Sequence, residues 1–230
     1  MSKSKIIVAL DFPNAKSALT LVDRLHPDLC KLKVGKELFT RTGPNIVRQL
    51  VNLNFDVFLD LKFHDIPNTT ANAALAAADL GVWMVNLHAQ GGRKMLQTAK
   101  TELVKHGHKT LLIAVTVLTS LNQTDMLEIG FTSSPAKQVL KLAKLAEDCE
   151  LDGVVCSALE LNLLRENLGQ EFLLVTPGIR PEGASVNDQT RVMTPANAVK
   201  MGSNYLVMGR PITKASNPLE ALSQVNSSLD

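Results

Sequence analysis

Short apolar runs rich in Val, Ile and Leu recur along the chain, separated by longer segments of helical pattern. The runs lack the strict apolar/polar alternation of a half-exposed sheet, and strands of a parallel sheet, buried on both faces, read in this way. They predict eight strands: IIVALD (6–11), LCKLKVG (29–35), DVFLDLK (56–62), WMVNLHA (83–89), TLLIAVTVL (110–118), GVVCSA (153–158), FLLVTPG (172–178) and YLVMGR (205–210). Between them, Ser134-Pro135, Thr194-Pro195 and Asn217-Pro218 each set a capping side chain before a proline suited to the first helical position. In the segment 134–149, Val139, Leu142, Ala143 and Ala146 share one helical face, an ordinary core stripe.

Eight strand-helix units in 230 residues, without a linker or a break in composition, predict an α/β protein: a single (β/α)8 TIM barrel spanning 1–230. A doubly wound sheet is the alternative, but no strand is followed by the GxGxxG turn of its dinucleotide-binding form. With 45% apolar and 20% charged residues the chain has the make-up of a soluble globular protein. Its formal charge of +2, from 24 basic and 22 acidic residues without a basic run, gives no nucleic-acid surface. Cys30, Cys149 and Cys156 are widely spaced and odd in number, which supports neither a zinc site nor a disulfide framework. MSKSK followed by a short apolar run is a poor signal sequence, and no segment reaches the ~20 apolar residues of a membrane span. A cytoplasmic protein with no membrane partner is expected.

Barrel active sites lie where strands end and the following loops begin. The predicted strand exits are polar: Asp11, Lys33, Asp60, Lys62, Ser120 and Arg210. On a regular strand Asp60 and Lys62 point to one face, with Asp65 in the loop beyond. Lys33, on the neighbouring strand, could reach Asp60 from the other side and make a row of alternating charges, each favouring its neighbour's ionised form. A buried structural ion-pair network would read the same way from an isolated Asp-x-Lys.

The longer run Asp60 to Thr69, DLKFHDIPNT, resembles the signature of the orotidine 5′-phosphate decarboxylase family. VALD, KVGKELFT, VTVLTS, DGVVCSA, VTPGIRPEG, the pair Asp188-Gln189 and VMGRPIT continue the likeness in family order over nearly the whole chain. The resemblance implies decarboxylation of orotidine 5′-phosphate to UMP with no cofactor and no metal. It makes Lys62 the proton donor to the pyrimidine C6 carbanion, with Asp60 near the substrate carboxylate. Lys33 and Asp11 correspond to the ribose contacts that complete the charge row. Asp65 and Thr69 match positions that serve the partner subunit's site, so a homodimer with shared sites is implied. Ser120 would bond the base, with Thr119 beside it and Pro177 bordering the ring. Arg180, Gln189, Gly209 and Arg210 match the phosphate-binding set.

Two rivals share the barrel. A metal-dependent keto-gulonate phosphate decarboxylase resembles this chain in its Asp-x-Lys-x-x-Asp core, but that group has an acidic residue on the second strand near Lys33. A Schiff-base aldolase would need an unprotonated lysine, whereas flanking carboxylates hold Lys62 and Lys33 protonated. A third reading, from another class, is a catalytically silent barrel that binds phosphate ligands. Among the remaining candidates, His64 lacks metal-ligand spacing and reads as a packing or hydrogen-bonding residue. His88 has no assigned role, His106 and His108 read as solvated at the far face, Gly91-Gly92 as a turn, and Cys156 as a small buried residue.

Overall fold

In a computed structural model, which describes residues 4–181 and 193–229, the eight strands are parallel and close in sequence order into a barrel. They are β1 (Ile6–Ala9), β2 (Lys31–Gly35), β3 (Val57–Phe63), β4 (Met84–His88), β5 (Leu111–Val115), β6 (Gly153–Val155), β7 (Leu173–Pro177) and β8 (Tyr205–Met208). The helices are α1 (Ala15–Val22), α2 (Lys36–Thr42), α3 (Asn45–Asn52), α4 (Pro67–Ala78), α5 (Gly92–Lys105), α6 (Gln123–Glu128), α7 (Pro135–Asp148), α8 (Leu161–Arg165), α9 (Pro195–Lys200), α10 (Arg210–Thr213) and α11 (Pro218–Ser227). Each predicted strand is present, and most end earlier than the sequence pattern suggests. The polar exits Asp11, Ser120 and Arg210 lie beyond the paired ladder. The proline caps form as expected: Ser134, Thr194 and Asn217 accept from the backbone N–H groups of Lys137, Asn197 and Glu220.

Two apolar layers hold the fold. Outward side chains such as Val8, Leu32, Leu59, Val85 and Leu206 pack under the helices, where Leu50, Ala74, Leu96 and Val139 meet them. Inward side chains, Ile7, Ala9, Phe58, Met84, Ile113, Val175 and Val207, fill the barrel itself. The inward set of β2 departs from this pattern. Lys31 sits beside Ile7, and Lys33 beside both Ala9 and Phe58, so both lysines project inside.

Lys31 closes the floor. Its Nζ lies 3.0 Å from Asp56 and 4.8 Å from the centre of the Trp83 ring, which meets Tyr205 edge-on. A desolvated ammonium is tolerated there because a carboxylate and two π faces surround it. At this end His108, expected to be solvated, instead pairs with Asp79 at 3.3 Å and keeps only 23% of its side chain exposed. Among the described residues no helix is long and apolar enough to cross a membrane.

Candidate active site

The strand ends bring Asp11, Lys33, Asp60 and Lys62 into one continuous row. Leu10 extends the β1 ladder by donating to the Lys33 carbonyl, which delivers Asp11 to the rim. Lys33 Nζ lies 3.2 Å from Asp11 Oδ1 and 3.5 Å from Asp60 Oδ2. Lys62 Nζ donates to Asp60 Oδ1 at 2.5 Å. Gly35 leaves room for this geometry: a Cβ there would lie 3.1 Å from Lys33 Nζ.

Burial is the largest single influence on Asp60 and would raise its pKa, but Lys33, Lys62 and hydrogen bonds from Lys62 and Asn86 outweigh it. The carboxyl is held below its usual range. The centre of the row is thus an ionised carboxylate between two ammoniums.

The regular pleat does not explain how Asp60 and Lys62 come together. The pairing of β3 with β4 shifts between Leu59 and Phe63, and Lys62 takes φ +55°, a left-handed conformation uncommon for a side-chain-bearing residue. Such a conformation costs on the order of 1–3 kcal/mol and persists where its surroundings enforce it. The bulge, rather than strand alternation, aims the Lys62 ammonium at Asp60.

Above the row, His88 stacks obliquely on His64 with ring centres 5.4 Å apart. Burial, followed by the influence of His64, Lys36 and Lys62, lowers its pKa to about 4.

From this row a cleft leads toward β7 and β8. One part, of about 190 Å³, is lined by Asp60, Lys62, Thr119 and Pro177. The next, of about 550 Å³, shares Lys33, Pro177 and Val207 with it and adds Asp11, Arg180, Gly209 and Arg210. Thr213, the last residue of VMGRPIT, also lines it, as do Phe12 and Lys214, which lie outside every motif of the sequence. Arg180 is buried, held by a bond from its Nη1 to the Ile179 carbonyl and by the backbone bond from its N–H to Met193. Gln189 lies outside the described residues. Ser120 is exposed in the turn after β5.

Asp65 and Thr69 stay outside the row. The Asp65 carboxylate accepts from the Ile66 N–H at 2.6 Å, and Asp65, Ile66 and Thr69 are all exposed. Among the described residues there is no cluster of three or more His, Cys, Asp and Glu side chains able to hold a metal.

A larger cavity, about 740 Å³, opens at the opposite end beside Lys5, Arg165 and Lys200. Its arginine is committed to structure: Arg165 donates to the carbonyls of Gly202 and Phe172 and to Asn204. Chemistry in this fold resides at the other end, where the charge row lies.

Fold and site together define a (β/α)8 barrel with an alternating lysine-carboxylate row at its mouth and an arginine-lined cavity after the last two strands. The chain belongs to the orotidine 5′-phosphate decarboxylase / HUMPS family, whose model matches residues 4–225. It is 59% identical over 227 residues to the orotidine 5′-phosphate decarboxylase of Actinobacillus succinogenes, covering 98% of each chain. Against the Pasteurella multocida enzyme of the same name it is 58% identical, covering 98% of this chain and 97% of the other. The crystal structure of orotidine 5′-phosphate decarboxylase from Lactobacillus acidophilus superposes with a TM-score of 0.87 at 41% identity, covering 98% of both chains.

Proposed function

We propose that this chain decarboxylates orotidine 5′-phosphate to UMP, the last step of pyrimidine nucleotide synthesis, as a cytoplasmic enzyme without a cofactor. The observation that carries the reading is the Asp11, Lys33, Asp60, Lys62 row opening directly into the cavity that holds Arg180 and Arg210. Loss of CO2 from C6 leaves an electron pair in an in-plane orbital that the pyrimidine π system cannot delocalise. A catalyst must therefore lower the barrier by on the order of 20 kcal/mol, largely by placing fixed charge where negative charge develops.

Lys62 is suited to both halves of that task. Its ammonium, held by Asp60, stabilises the developing carbanion and then gives it a proton. Asp60 stands where the substrate carboxylate departs, and Asp11 and Lys33 face the ribose hydroxyls. Thr119, Ser120 and Pro177 border the base. Arg180, Gln189, Gly209 and Arg210 take the phosphate, whose binding energy is spent on fixing the charged row. The planar fork of Arg210 can bind two phosphate oxygens at once. Lys33 pairs its ammonium with Asp11 and Asp60, so these two carboxylates already have a cation between them, which favours the metal-independent reading.

The active unit in this proposal is a homodimer with shared sites. Asp65 and Thr69 are exposed, and between them Ile66 leaves 67% of its surface in solvent. Ile66 is the most exposed large apolar side chain among the described residues, and its place between two functional candidates fits a surface that a second copy covers.

A spectrophotometric assay of orotidine 5′-phosphate loss, run with and without excess chelator, tests substrate and cofactor together. Turnover unchanged by chelator is expected. Turnover abolished by chelator would point to metal-dependent chemistry, and phosphate-ligand binding without turnover would reduce the barrel to a binding protein.

A further inference from the structure

In the pairing of β3 with β4, the register passes from Leu59 against Val85 to Phe63 against Leu87. Asp60, Leu61 and Lys62 therefore lie opposite Asn86 alone. A bulge of this kind takes backbone groups out of the ladder, and buried groups need other partners. Asn86 provides one: its Oδ1 accepts from the Lys62 backbone N–H at 2.8 Å. Because a backbone N–H can only donate, this contact fixes the amide's orientation and turns Nδ2 toward Asp60. Nδ2 donates to Asp60 Oδ1 at 2.7 Å, the same oxygen that accepts from Lys62 Nζ. Asn86 is completely buried, so water does not compete for either bond.

We propose that Asn86 is a positioning residue for the Asp60/Lys62 pair. One amide holds the Lys62 backbone in its left-handed turn and also keeps Asp60 an acceptor aimed at the Lys62 ammonium. This rests on the decarboxylase reading and adds to it a residue that touches neither substrate nor reacting atoms. The side chain must offer one acceptor and one donor on a short stem. Leucine offers neither, an ionised aspartate lacks the donor, and glutamine is a methylene too long. The charged and titratable groups around the pair are Lys33 from β2 and His88 further along β4, with Asp11, just past the end of β1, beyond Lys33 and with His64 and Lys36 beyond His88.

The test is the pH profile of kcat and KM for N86D beside the wild type. The substitution sets a carboxyl oxygen against Asp60, and repulsion between two carboxylates so close makes the pair hold one proton up to a raised pKa before both ionise. While protonated, the new carboxyl can donate to Asp60 as the amide did. Once ionised, it repels Asp60 and draws Lys62 aside. The expected result is a kcat reduced on the order of 100-fold at neutral and alkaline pH. It should recover toward acid, a limb absent from the wild type, while KM changes little because the phosphate cavity is untouched. An N86D profile parallel to wild type, or an effect confined to KM, overturns the proposal.

Hydrogen exchange at the Lys62 amide of the wild type is a second readout that needs neither turnover nor a folded variant. Strong protection supports the clamp, and exchange at the rate of a free peptide overturns it. Failure of the wild type to turn over orotidine 5′-phosphate would count against the decarboxylase reading, while the exchange result would still decide the placement of Asn86.

Discussion

Lys31 and Lys33 project from one strand into one barrel, yet Lys31 closes its floor and Lys33 completes the charge row at its mouth. The separation follows from the pleat: residues two apart share a face but stand about 6.6 Å apart along the strand. Lys31 meets Asp56, Trp83 and Tyr205. Lys33 meets Asp11 and Asp60.

Removing each lysine should therefore separate stability from activity. Lys31→Ala leaves the mostly buried Asp56 carboxylate without its ammonium and should cost about 3 kcal/mol of stability. Its turnover, measured well below the melting transition, should stay near wild type. Lys33→Ala leaves Asp60 with Lys62 and Asn86 as partners, so it should lose less stability than Lys31→Ala but roughly 100- to 1000-fold in kcat/KM, the range for removing one preorganised charge-stabilising donor. Thermal melts and steady-state assays on the two proteins decide it. A reversed pattern would mean that the floor, not the mouth, carries the chemistry.

Gly35 offers a finer probe of the same row. Its φ of −93° is open to any residue, so alanine adds no backbone strain. The new methyl would, however, press on Lys33 Nζ at 3.1 Å, and the flexible ammonium is what must yield. Gly35→Ala should fold with nearly unchanged stability and lose about tenfold in kcat, since small displacements of fixed charge are felt in the transition state. A kcat equal to wild type would show that Lys33 has slack the geometry does not suggest.

The fold was legible in the sequence because parallel strands buried on both faces leave unbroken apolar runs, and eight of them leave few other ways to close. What the pattern overstated was strand length: Asp11 and Arg210 look like ends of strands but lie past the last ladder bond. The charge row was legible in part. Lys33 and Asp60 follow from strand positions, whereas Lys62 reaches Asp60 through a bulge that no periodicity announces. Lys31 is indistinguishable from Lys33 in the string KLK until the barrel closes and gives one the floor and the other the mouth. Asn86 left a faint signal, a lone amide inside the apolar run WMVNLHA, where a buried polar group must have partners. Which partners it has depends on the register shift across β3 and β4.

His88 should make stability depend on pH. In the folded protein burial and positive neighbours hold its pKa near 4, against an ordinary value of 6.5. Between those values the unfolded chain binds more protons, so stability is retained above pH 6.5 and falls as the pH drops toward 4. Asp60, with its lowered pKa, begins to lose its contribution only below the ordinary carboxylate range. Chemical denaturation of wild type and His88→Gln across this range should show the wild type losing stability more steeply. Parallel curves would mean that His88 protonates in place without cost.

Sharing of sites between subunits can be tested by mixing two inactive chains. Lys62→Ala removes the proton donor from its own barrel but keeps Asp65 to lend. Asp65→Asn keeps Lys62 but has nothing to lend. If each site combines Lys62 of one chain with Asp65 of the other, every mixed dimer has one intact site and one doubly defective site. Random exchange of equal amounts makes half of all dimers mixed, so roughly a quarter of wild-type activity should return. A site built within one chain would regain nothing, because no barrel in the mixture carries both wild-type residues. Activity is measured before and after exchange, with mixed dimers quantified through a tag on one chain. Absence of recovery alongside demonstrated mixed dimers would return Asp65 to its own subunit and leave the exposure of Ile66 and Thr69 to be explained by some other contact.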